Sequence, residues 1–229
     1  TKIWYTCPRR RTAFESVSRG GCTFMEKHLV ICIGRQFGSG GREIGLGLAK
    51  KLGIRFYDKE ILKKAAEESG IVEELFEKAD EKPTNSFLYS LSMGTHGQAM
   101  NFTNYNDYLT NDKLFLFQSN TIRDMAEKDS CVIIGRCADY ILRGRKDMLS
   151  VFIHAPMELR IQRISRVRNV EEDAARSLIK KTDRQRANYY NFYADNDWGA
   201  ADSYDVAINS GKLGVEKSIE VLAGICEHL

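Results

Sequence analysis

The sequence predicts an α/β fold in three layers, with a parallel sheet of five strands between two layers of helices. Two patterns predict it. Five short, mainly apolar segments are spaced along the chain, at residues 29–33, 54–57, 131–135, 149–153 and 204–208, and the first of them is continuously apolar. Continuous apolar runs of this length are typical of strands buried on both faces. Segments with apolar residues at helical spacing separate these runs, and strands that alternate with helices favour a parallel, doubly wound sheet.

The first part of this pattern has clear boundaries. After the first strand comes a glycine-rich turn at residues 38–41, and the helix that follows is expected to end at Gly53. After the second strand, Asp58 is a candidate N-cap for a helix that Gly70 ends. Residues 82–111 mix Asn, Ser, Thr and Gly with Phe, Tyr and Met, so we expect loop and irregular helix there.

The second half continues the alternation and adds a pair of basic helices. A helix over about residues 112–128 leads to the third strand, and helices over about residues 156–168 and 169–188 separate the last two strands. Asn169 has Glu172 three residues on, which is the form of a capping box for the second helix of the pair. These helices are expected to lie over the carboxyl ends of the strands, where open α/β sheets bind ligands.

Composition indicates an ordinary globular protein. Of the 229 residues, 43% are hydrophobic and 28% are charged, which is usual for one domain with a sizeable core. The chain contains no apolar run of about 18 residues, so no membrane span is predicted. A net charge of +3 does not by itself indicate nucleic-acid binding. From these two observations we expect neither a membrane nor nucleic acid as a partner. The six cysteines show no paired metal-ligand spacing, so we expect a reducing, cytoplasmic setting without disulfides.

The first 24 residues differ from the rest. They contain one acidic residue and no methionine, and Met25 stands directly before the first strand. We expect Met25 to be the natural start, with residues 1–24 an over-extended reading frame; a basic N-terminal arm is the alternative. Residues 25–229 are then a single domain.

A phosphate-binding loop is the strongest functional signal. Gly38, Ser39, Gly40 and Gly41 lie between a strand and a helix. Glycines let backbone N–H groups approach an anion closely, and the helix directs its positive end to the same place. The usual motif has Lys and then Ser or Thr after its last glycine, whereas Gly40 is followed here by Gly41, Arg42 and Glu43. The alternative is a glycine turn that only packs a helix against a sheet.

The residues that replace the motif have chemistry of their own. An arginine at position 42 neutralises phosphate, although it is not a geometric replacement for lysine. Glu43 is unusual beside phosphate and is a candidate ligand of Mg²⁺, directly or through water. We therefore expect residues 38–43 to bind ATP with Mg²⁺.

Residues 29–64, 131–146 and 151–222 together resemble the cytidylate kinases and their cytidylate kinase-like relatives. The loop over residues 33–44 is similar to the version of the phosphate loop in these relatives. Cytidylate kinases keep Gly where Arg35 stands and Lys where Gly41 stands. The resemblance implies a three-layer P-loop kinase fold, with an inserted acceptor-binding region at residues 82–111 and a helical lid at residues 156–200.

The resemblance also implies an acceptor site. Arg136 matches an arginine that holds the acceptor phosphate, while the Asp that follows it in the family is Cys137 here, with Asp139 nearby. Lys64 stands where the family has a phosphate-binding Arg, and Lys59 replaces a Ser that helps to read cytosine. The second strand of the family ends in an acidic residue, which is Asp58 in this chain.

The lid is the last part of the resemblance. Arg160 and Arg163 match the start of the family's lid helix, and Asp183, Arg184 and Arg186 match its Asp-Arg-x-Arg run, which reaches the acceptor and the transferring phosphoryl group. By this resemblance Arg42, Arg163, Arg184 and Arg186 are catalytic candidates, and Asp58, Lys64, Arg136 and Asp183 are acceptor ligands. Solvated helix faces have the same spacing of charges, which is the plainer interpretation of the lid residues.

The function expected is ATP-dependent phosphorylation of a nucleoside monophosphate, with CMP or dCMP foremost. Two alternatives remain at this point. The missing loop lysine favours a nucleotide-binding protein without turnover, and the replaced base readers favour a kinase for a non-nucleotide small molecule. Aromatic residues crowd after the lid at residues 189–198; they either stack a base or, as we expect, pack the lid against the core.

Overall fold

The protein contains a five-stranded, wholly parallel sheet, as the sequence predicts. This computed structural model describes residues 28–71, 73, 76–77, 81 and 104–229, with only the backbone described for residues 104–111. The strand order is β2-β3-β1-β4-β5, and all four neighbouring pairs are parallel. The strands are β1 (Val30–Arg35), β2 (Arg55–Tyr57), β3 (Cys131–Ile134), β4 (Met148–His154) and β5 (Val206–Asn209).

Helices join successive strands. Gly53 and Gly70 end the first two at φ values of +68° and +70°, a left-handed conformation that glycine adopts without the steric cost of a side chain. In chain order the helices are α1 (Gly41–Leu52), α2 (Glu60–Ser69), α3 (Asn104–Lys128), α4 (Ala138–Ile141), α5 (Met157–Arg168), α6 (Glu172–Tyr193) and α7 (Ser210–Cys226). Among the described helices, none is both long and apolar enough to cross a membrane.

The sheet has a separate apolar core on each face. Alternate residues of a strand point to opposite faces, so Ile31 and Ile33 pack with α1 and α7 whereas Val30 and Cys32 pack with α3, α4 and α6. All four side chains are at most 1% exposed. Burial on both faces explains why the central strands β1 and β3 are nearly continuously apolar, and it establishes the three-layer arrangement.

The lid consists of α5 and α6. Its own small core joins Ile161 and Ile164 of α5 to Ala175 and Ile179 of α6, and Phe37 from the turn after β1 packs against it. The lid therefore lies directly on the glycine-rich turn, at the carboxyl end of the sheet.

Three local predictions are wrong. The N-cap position of α2 is Lys59, and the carboxylate of Asp58 instead binds arginines. Asn169 does not begin α6; it ends α5 at φ +52°, and Asn tolerates that left-handed conformation well. Helix α3 begins at Asn104, so residues 104–111 of the expected irregular insert are regular helix. Residues 82–103 of that insert, and the N-terminal segment 1–24, lie outside the described residues.

Candidate active site

The turn between β1 and α1 has the backbone form of an anion-binding loop. Gly38 and Gly40 adopt φ values of +82° and +80°, which side chains oppose. A Cβ atom at Gly38 would also lie 3.1 Å from the Cβ and carbonyl oxygen of Arg160. Glycine is therefore needed at position 38 both for the backbone conformation and for the close approach of the lid. Free N–H groups of the first turn of α1 point out of this loop.

Ser39 lies at the centre of the loop and is 4% exposed. Its carbonyl oxygen accepts a hydrogen bond of 2.6 Å from Ser210 Oγ, which anchors the loop to the start of α7. Within the described part of the chain, Ser39 Oγ has no hydrogen-bond partner. A buried hydroxyl without a partner is costly, so this atom is suited to a group that a ligand brings.

A pocket opens beside the loop on the side of α5 and α7. Its volume is about 660 Å³ with the solvent at its mouth included. The walls combine glycine backbone, short apolar side chains and two lid arginines: Gly38, Ser39, Ala155, Leu159, Gln162, Arg163, Arg166, Ser210, Gly211, Gly214 and Val215. This lining suits a small molecule that places an anion on the loop.

The lid brings one arginine over the loop and leaves another in solvent. Arg163 Nη1 donates to Glu43 Oε2 at 2.9 Å, and a Cβ atom at Gly40 would lie 2.6 Å from the same nitrogen. Arg184, in contrast, is exposed and shows no side-chain partner among the described residues. The structure thus places Arg163 at the predicted phosphate site but does not bring Arg184 to it.

Asp183 ties the lid to the loop. One carboxylate oxygen accepts from the backbone N–H of Phe37 at 2.7 Å, and the other accepts from Arg160 Nη1 at 2.5 Å. Arg160, which is 5% exposed, also donates to the carbonyl oxygen of Phe37. The described partners of Asp183 therefore lie on the loop and the lid and not on the turn after β3, where the acceptor was expected.

A second group of charges lies at the ends of β2 and β3. Asp58 accepts from Arg42 Nε at 2.7 Å and from Arg136 Nη1 at 3.4 Å. Burial raises the pKa of the Asp58 carboxyl, but the hydrogen bond from Arg42 and the charge of Arg136 outweigh it and lower the pKa below its usual value. Arg42 therefore turns toward the acceptor side, with its guanidinium 5.7 Å from the centre of the Phe56 ring.

The turn after β3 is strained. Gly135, Arg136 and Cys137 take φ values of +69°, +57° and +55° in succession, and each non-glycine residue in this region costs about 1–2 kcal/mol. Arg136 and Cys137 are both 2% exposed. Strained residues of this kind cluster at sites that bind ligands, and the strain here directs the Arg136 side chain into the group around Asp58.

Glu81 and Arg35 were not identified from the sequence. Arg35 Nη1 bonds to Glu81 Oε1, and Arg186 Nε donates to Glu81 Oε2 at 2.9 Å. Burial raises the pKa of the Glu81 carboxyl, yet Arg35, Arg186 and Arg136 hold that pKa well below its usual range. Glu81 lies 46 residues from Arg35 and belongs to no recognisable sequence pattern. Arg35, at the carboxyl end of a buried strand, could have been suspected from its position.

These charges line one wall of a second cleft, and aromatic rings line the other. Tyr189, Tyr190, Trp198 and Tyr204 form the aromatic wall. Between the walls, Asp139 accepts from Tyr190 Oη at 2.7 Å. Burial raises the pKa of the Asp139 carboxyl, although the hydrogen bond from Tyr190 partly opposes it. The charged wall comprises Arg35, Glu81, Arg136 and Arg186.

The remaining predicted residues have plainer surroundings. Lys64 pairs with Glu68 one turn along α2 at 3.7 Å, and no hydrogen bond among the described residues joins it to Asp58. The aromatic residues after the lid pack, as expected: Tyr193 stacks on Phe115 with 3.7 Å between ring centres, and Trp198 meets Phe152 edge-on. Tyr189, Tyr190 and Trp198 also line the cleft, so packing does not exclude contact with a ligand.

The charges at the loop do not form a ready-made metal site. The described residues contain no group of three His, Cys, Asp or Glu side chains suited to a metal ion, and position 42 holds arginine where the usual loop has Ser or Thr. Mg²⁺ commonly binds through phosphates, water and one or two carboxylates. The exposed carboxylate of Glu43 fits a single place in such a shell.

Fold and site together have the architecture of the α/β phosphotransferases, in which a loop after the first strand binds phosphate beneath a helical lid. The chain belongs to the cytidylate kinase-like family, whose model matches residues 30–212.

Individual relatives agree with this assignment. A cytidylate kinase of Methanocaldococcus jannaschii is 28% identical over 109 residues, which are 46% of this chain and 61% of that enzyme. An uncharacterised protein from Eubacterium ventriosum, solved by crystallography, is 28% identical with a TM-score of 0.65 and covers 88% of this chain and 99% of its own. Shikimate kinase from Bacteroides thetaiotaomicron has 17% identity and a TM-score of 0.51, over 87% of this chain and 98% of its own, which supports the fold alone.

Proposed function

We propose that this protein transfers the γ-phosphoryl group of ATP to a nucleoside monophosphate, with CMP or dCMP as the foremost acceptors. One observation supports the proposal: neighbouring parallel strands β1 and β3 end side by side, one at the glycine loop and the other at Arg136, the two candidate phosphate sites. Parallel neighbours lie about 5 Å apart, so a donor on the loop and an acceptor at Arg136 are adjacent.

The donor site is the loop with the pocket beside it. Backbone N–H groups of Gly38, Gly40 and the first turn of α1 would hold the β- and γ-phosphates, and Arg163 would add a positive charge above them. The nucleoside would occupy the pocket of about 660 Å³ between α5 and α7. Mg²⁺ bound with the nucleotide neutralises charge on the phosphate oxygens, and Glu43 would take one place in its shell.

The acceptor site is the cleft between charges and aromatic rings. Arg136, held by Asp58, and Arg186 would bind the acceptor phosphate. The base would lie between Tyr189, Tyr190 and Trp198, where Asp139 is the one carboxyl among the rings and is suited to an amino group of a base.

The transfer needs no general base, because a phosphate oxygen of the acceptor is already anionic. That oxygen forms a bond to the γ-phosphorus while the bond between the γ-phosphorus and the β,γ-bridging oxygen breaks, and ADP leaves with the electron pair. Arg163 beside the loop and Arg186 beside the cleft would stabilise the spread negative charge. The lid excludes water, which would otherwise accept the phosphoryl group.

ADP production from ATP and Mg²⁺ with a panel of nucleoside monophosphates tests the proposal. We expect ADP to appear only when an acceptor is present, fastest with CMP or dCMP. Hydrolysis that no acceptor accelerates, with ATP binding intact, would contradict kinase activity on nucleotides.

A second candidate acceptor is a non-nucleotide small molecule that carries an anion. It rests on Cys137, which is 2% exposed and stands where the family resemblance expects an Asp that reads the acceptor. Silence across the nucleotide panel, followed by turnover with phosphorylated or carboxylated metabolites, would favour this candidate.

A further inference from the structure

The phosphate loop lacks a lysine, and another side chain fills the space where that lysine would begin. A Cβ atom at Gly41 would lie 2.6 Å from Cβ and 3.1 Å from Cγ of Arg35. Gly41 has an ordinary helical backbone, so the backbone conformation does not require glycine. Arg35 does require it, because the stem of Arg35 crosses the first turn of α1 at this point.

The head of Arg35 lies between the two phosphate sites. Its side chain is 12% exposed, and its guanidinium lies so close to Gly135 that a Cβ atom there would collide with Nη1. Gly135 precedes Arg136, the acceptor-side arginine. Arg35 therefore starts beside the donor loop and ends beside the acceptor turn, which is where a phosphoryl group in transit would lie.

Positive charge exceeds negative charge at this place. Arg35 and Arg186 share the single carboxylate of Glu81, and Arg186 Nη1 also bonds the carbonyl oxygen of Arg35. Burial and the charge of Arg35 both lower the pKa of Arg186, while Glu81 and Asp183 only partly offset them. Two guanidiniums bonded to one carboxylate leave positive charge that a phosphate can neutralise.

We propose that Arg35 replaces the missing loop lysine as the cation that binds the transferring phosphoryl group, and that Glu81 holds its guanidinium between donor and acceptor. The exchange is reciprocal. Arg35 supplies the cation at the first position of the loop, where the usual motif has glycine, and Gly41 stands at the lysine position without a side chain, which leaves room for Arg35. This assignment rests on the proposed function, since it requires the loop to bind ATP.

Removing Arg35 alone would leave Glu81 buried with fewer partners, so the test begins from the Glu81→Gln variant as reference. The amide oxygen of Gln still accepts a hydrogen bond from Arg35 and so keeps the guanidinium in place. In that background, Arg35→Met removes the cation without leaving a charge behind. We expect the affinity for ATP, measured by titration calorimetry with Mg²⁺, to fall by at least about tenfold. The affinity for ADP, which has no γ-phosphate, should fall much less.

Arg55→Met in the same background is the matched control. Arg55 is also an arginine at a strand end and paired with a carboxylate, Asp129, but its side chain is 64% exposed and far from the loop in the order of the sheet. It should leave both affinities unchanged. ATP affinity that survives Arg35→Met in a folded protein overturns the proposal, as does an equal loss for ATP and ADP.

The reciprocal exchange gives a second, independent readout. Gly41→Lys alone should lower the melting temperature, because its stem meets Arg35. In the Glu81→Gln background, Arg35→Gly with Gly41→Lys rebuilds the usual arrangement and should bind ATP at least about tenfold more tightly than Arg35→Gly alone. A folded double variant that binds no better than Arg35→Gly would count against the proposal.

Failure of this assignment and failure of the proposed function give different results. If the wild-type protein transfers phosphate and the Arg35 variants do so equally fast, the kinase function stands and Arg35 has no part in it. If no nucleoside monophosphate supports turnover but ATP binding still depends on Arg35, the acceptor is wrong and the assignment of Arg35 stands. A protein that binds no ATP overturns both.

Discussion

The donor side and the acceptor side of this molecule differ in the chemical groups that form them. The donor loop is made of backbone and neutral groups: Ser39 is anchored by a serine hydroxyl, and its own hydroxyl has no partner in the described chain. On the acceptor side, Asp58 and Glu81 are each bound by arginines. An anion that enters the loop meets a solvent-accessible ion pair, Arg163–Glu43, whereas one that enters the cleft must compete with the more deeply buried carboxylates already there.

This contrast has an energetic meaning. When phosphate binds to a loop of pre-aligned N–H groups, the free-energy cost of rearranging the loop is small. Such a loop therefore suits a donor that is abundant and always the same. A cleft that must exchange ion pairs binds weakly unless its ligand replaces every interaction it displaces, and that requirement gives selectivity. We therefore expect changes at the loop to act on donor affinity, and changes in the cleft to act on turnover and acceptor choice.

The largest effect is expected at the acceptor arginine. Arg136→Met should lower the rate of transfer by about 10²- to 10³-fold, as the loss of one preorganised charge does elsewhere, while ATP affinity changes little. Steady-state kinetics and calorimetry on the same preparation measure the two quantities. Arg143→Met, which removes an exposed arginine lying over the half-buried Tyr140 ring, is the control and should keep full activity. Equal losses of ATP affinity and rate in Arg136→Met would erase the distinction between the two sides.

Next in size is the close approach of the lid to the loop. Gly38→Ala places a side chain at φ +82° against Arg160, and we expect a loss of about 1–2 kcal/mol of stability from the backbone alone, with a large drop in ATP affinity. Gly144→Ala is a matched control, because Gly144 has φ +87° and open space around its Cβ position. Thermal unfolding should show both losses, and only Gly38→Ala should weaken ATP binding. ATP affinity unaffected by Gly38→Ala would show that the loop does not hold the donor.

A smaller effect is expected from the unpartnered hydroxyl. Ser39→Ala should leave the free energy of unfolding nearly unchanged but weaken ATP binding by a few-fold, the value of one hydrogen bond of about 0.5–1.5 kcal/mol. Ser210→Ala should instead lower the free energy of unfolding by about 1 kcal/mol, because Ser210 Oγ donates a hydrogen bond to the carbonyl oxygen of Ser39. Denaturant titrations with and without ATP compare the two variants. A stability loss in Ser39→Ala as large as that in Ser210→Ala would mean that its hydroxyl is not waiting for a ligand.

The smallest effect is a matter of pH. The Glu81 pKa lies well below the ordinary 4.5 in the folded protein, so the folded state keeps a carboxylate that the unfolded chain protonates. Its stabilising contribution is complete above about pH 4.5 and is lost as the pH falls further. Glu81→Gln should therefore lose less stability between about pH 5 and about pH 3 than the wild type does. Glu220→Gln, at an exposed glutamate of α7, should follow the wild-type curve; if Glu81→Gln follows it too, the ion pairs do not form in solution.

The sequence predicted the frame of this molecule better than its charged interior. Strands and the glycine turns were recoverable because burial on both faces and left-handed φ values restrict which residues can stand there. Asp58 was misassigned as a cap because its partners are not sequence neighbours: Arg42 lies 16 residues away and Arg136 lies 78 residues away. Asn169 was misassigned because the same residue type caps either end of a helix.

The candidate site shows the same limit of local patterns. Gly38, Ser39, Arg136 and Arg163 lie where the motifs indicate, but their roles as ligands stay predictions. Glu81 carries no motif at all, and its importance arises only when β1, β3 and α6 converge on it. Charges that meet through the fold cannot be read from spacing along the chain.

The bond from Asp183 to the N–H of Phe37 has a kinetic consequence. The lid can swing away from the loop only if this bond and the one to Arg160 rearrange, so lid opening and a change in loop shape are one event. Nucleotide should therefore associate at a rate limited by this opening, slower than diffusion and insensitive to further increases in nucleotide concentration once opening limits it. Weakening one of these two contacts of Asp183 would then raise both the rate at which nucleotide associates and the rate at which it dissociates.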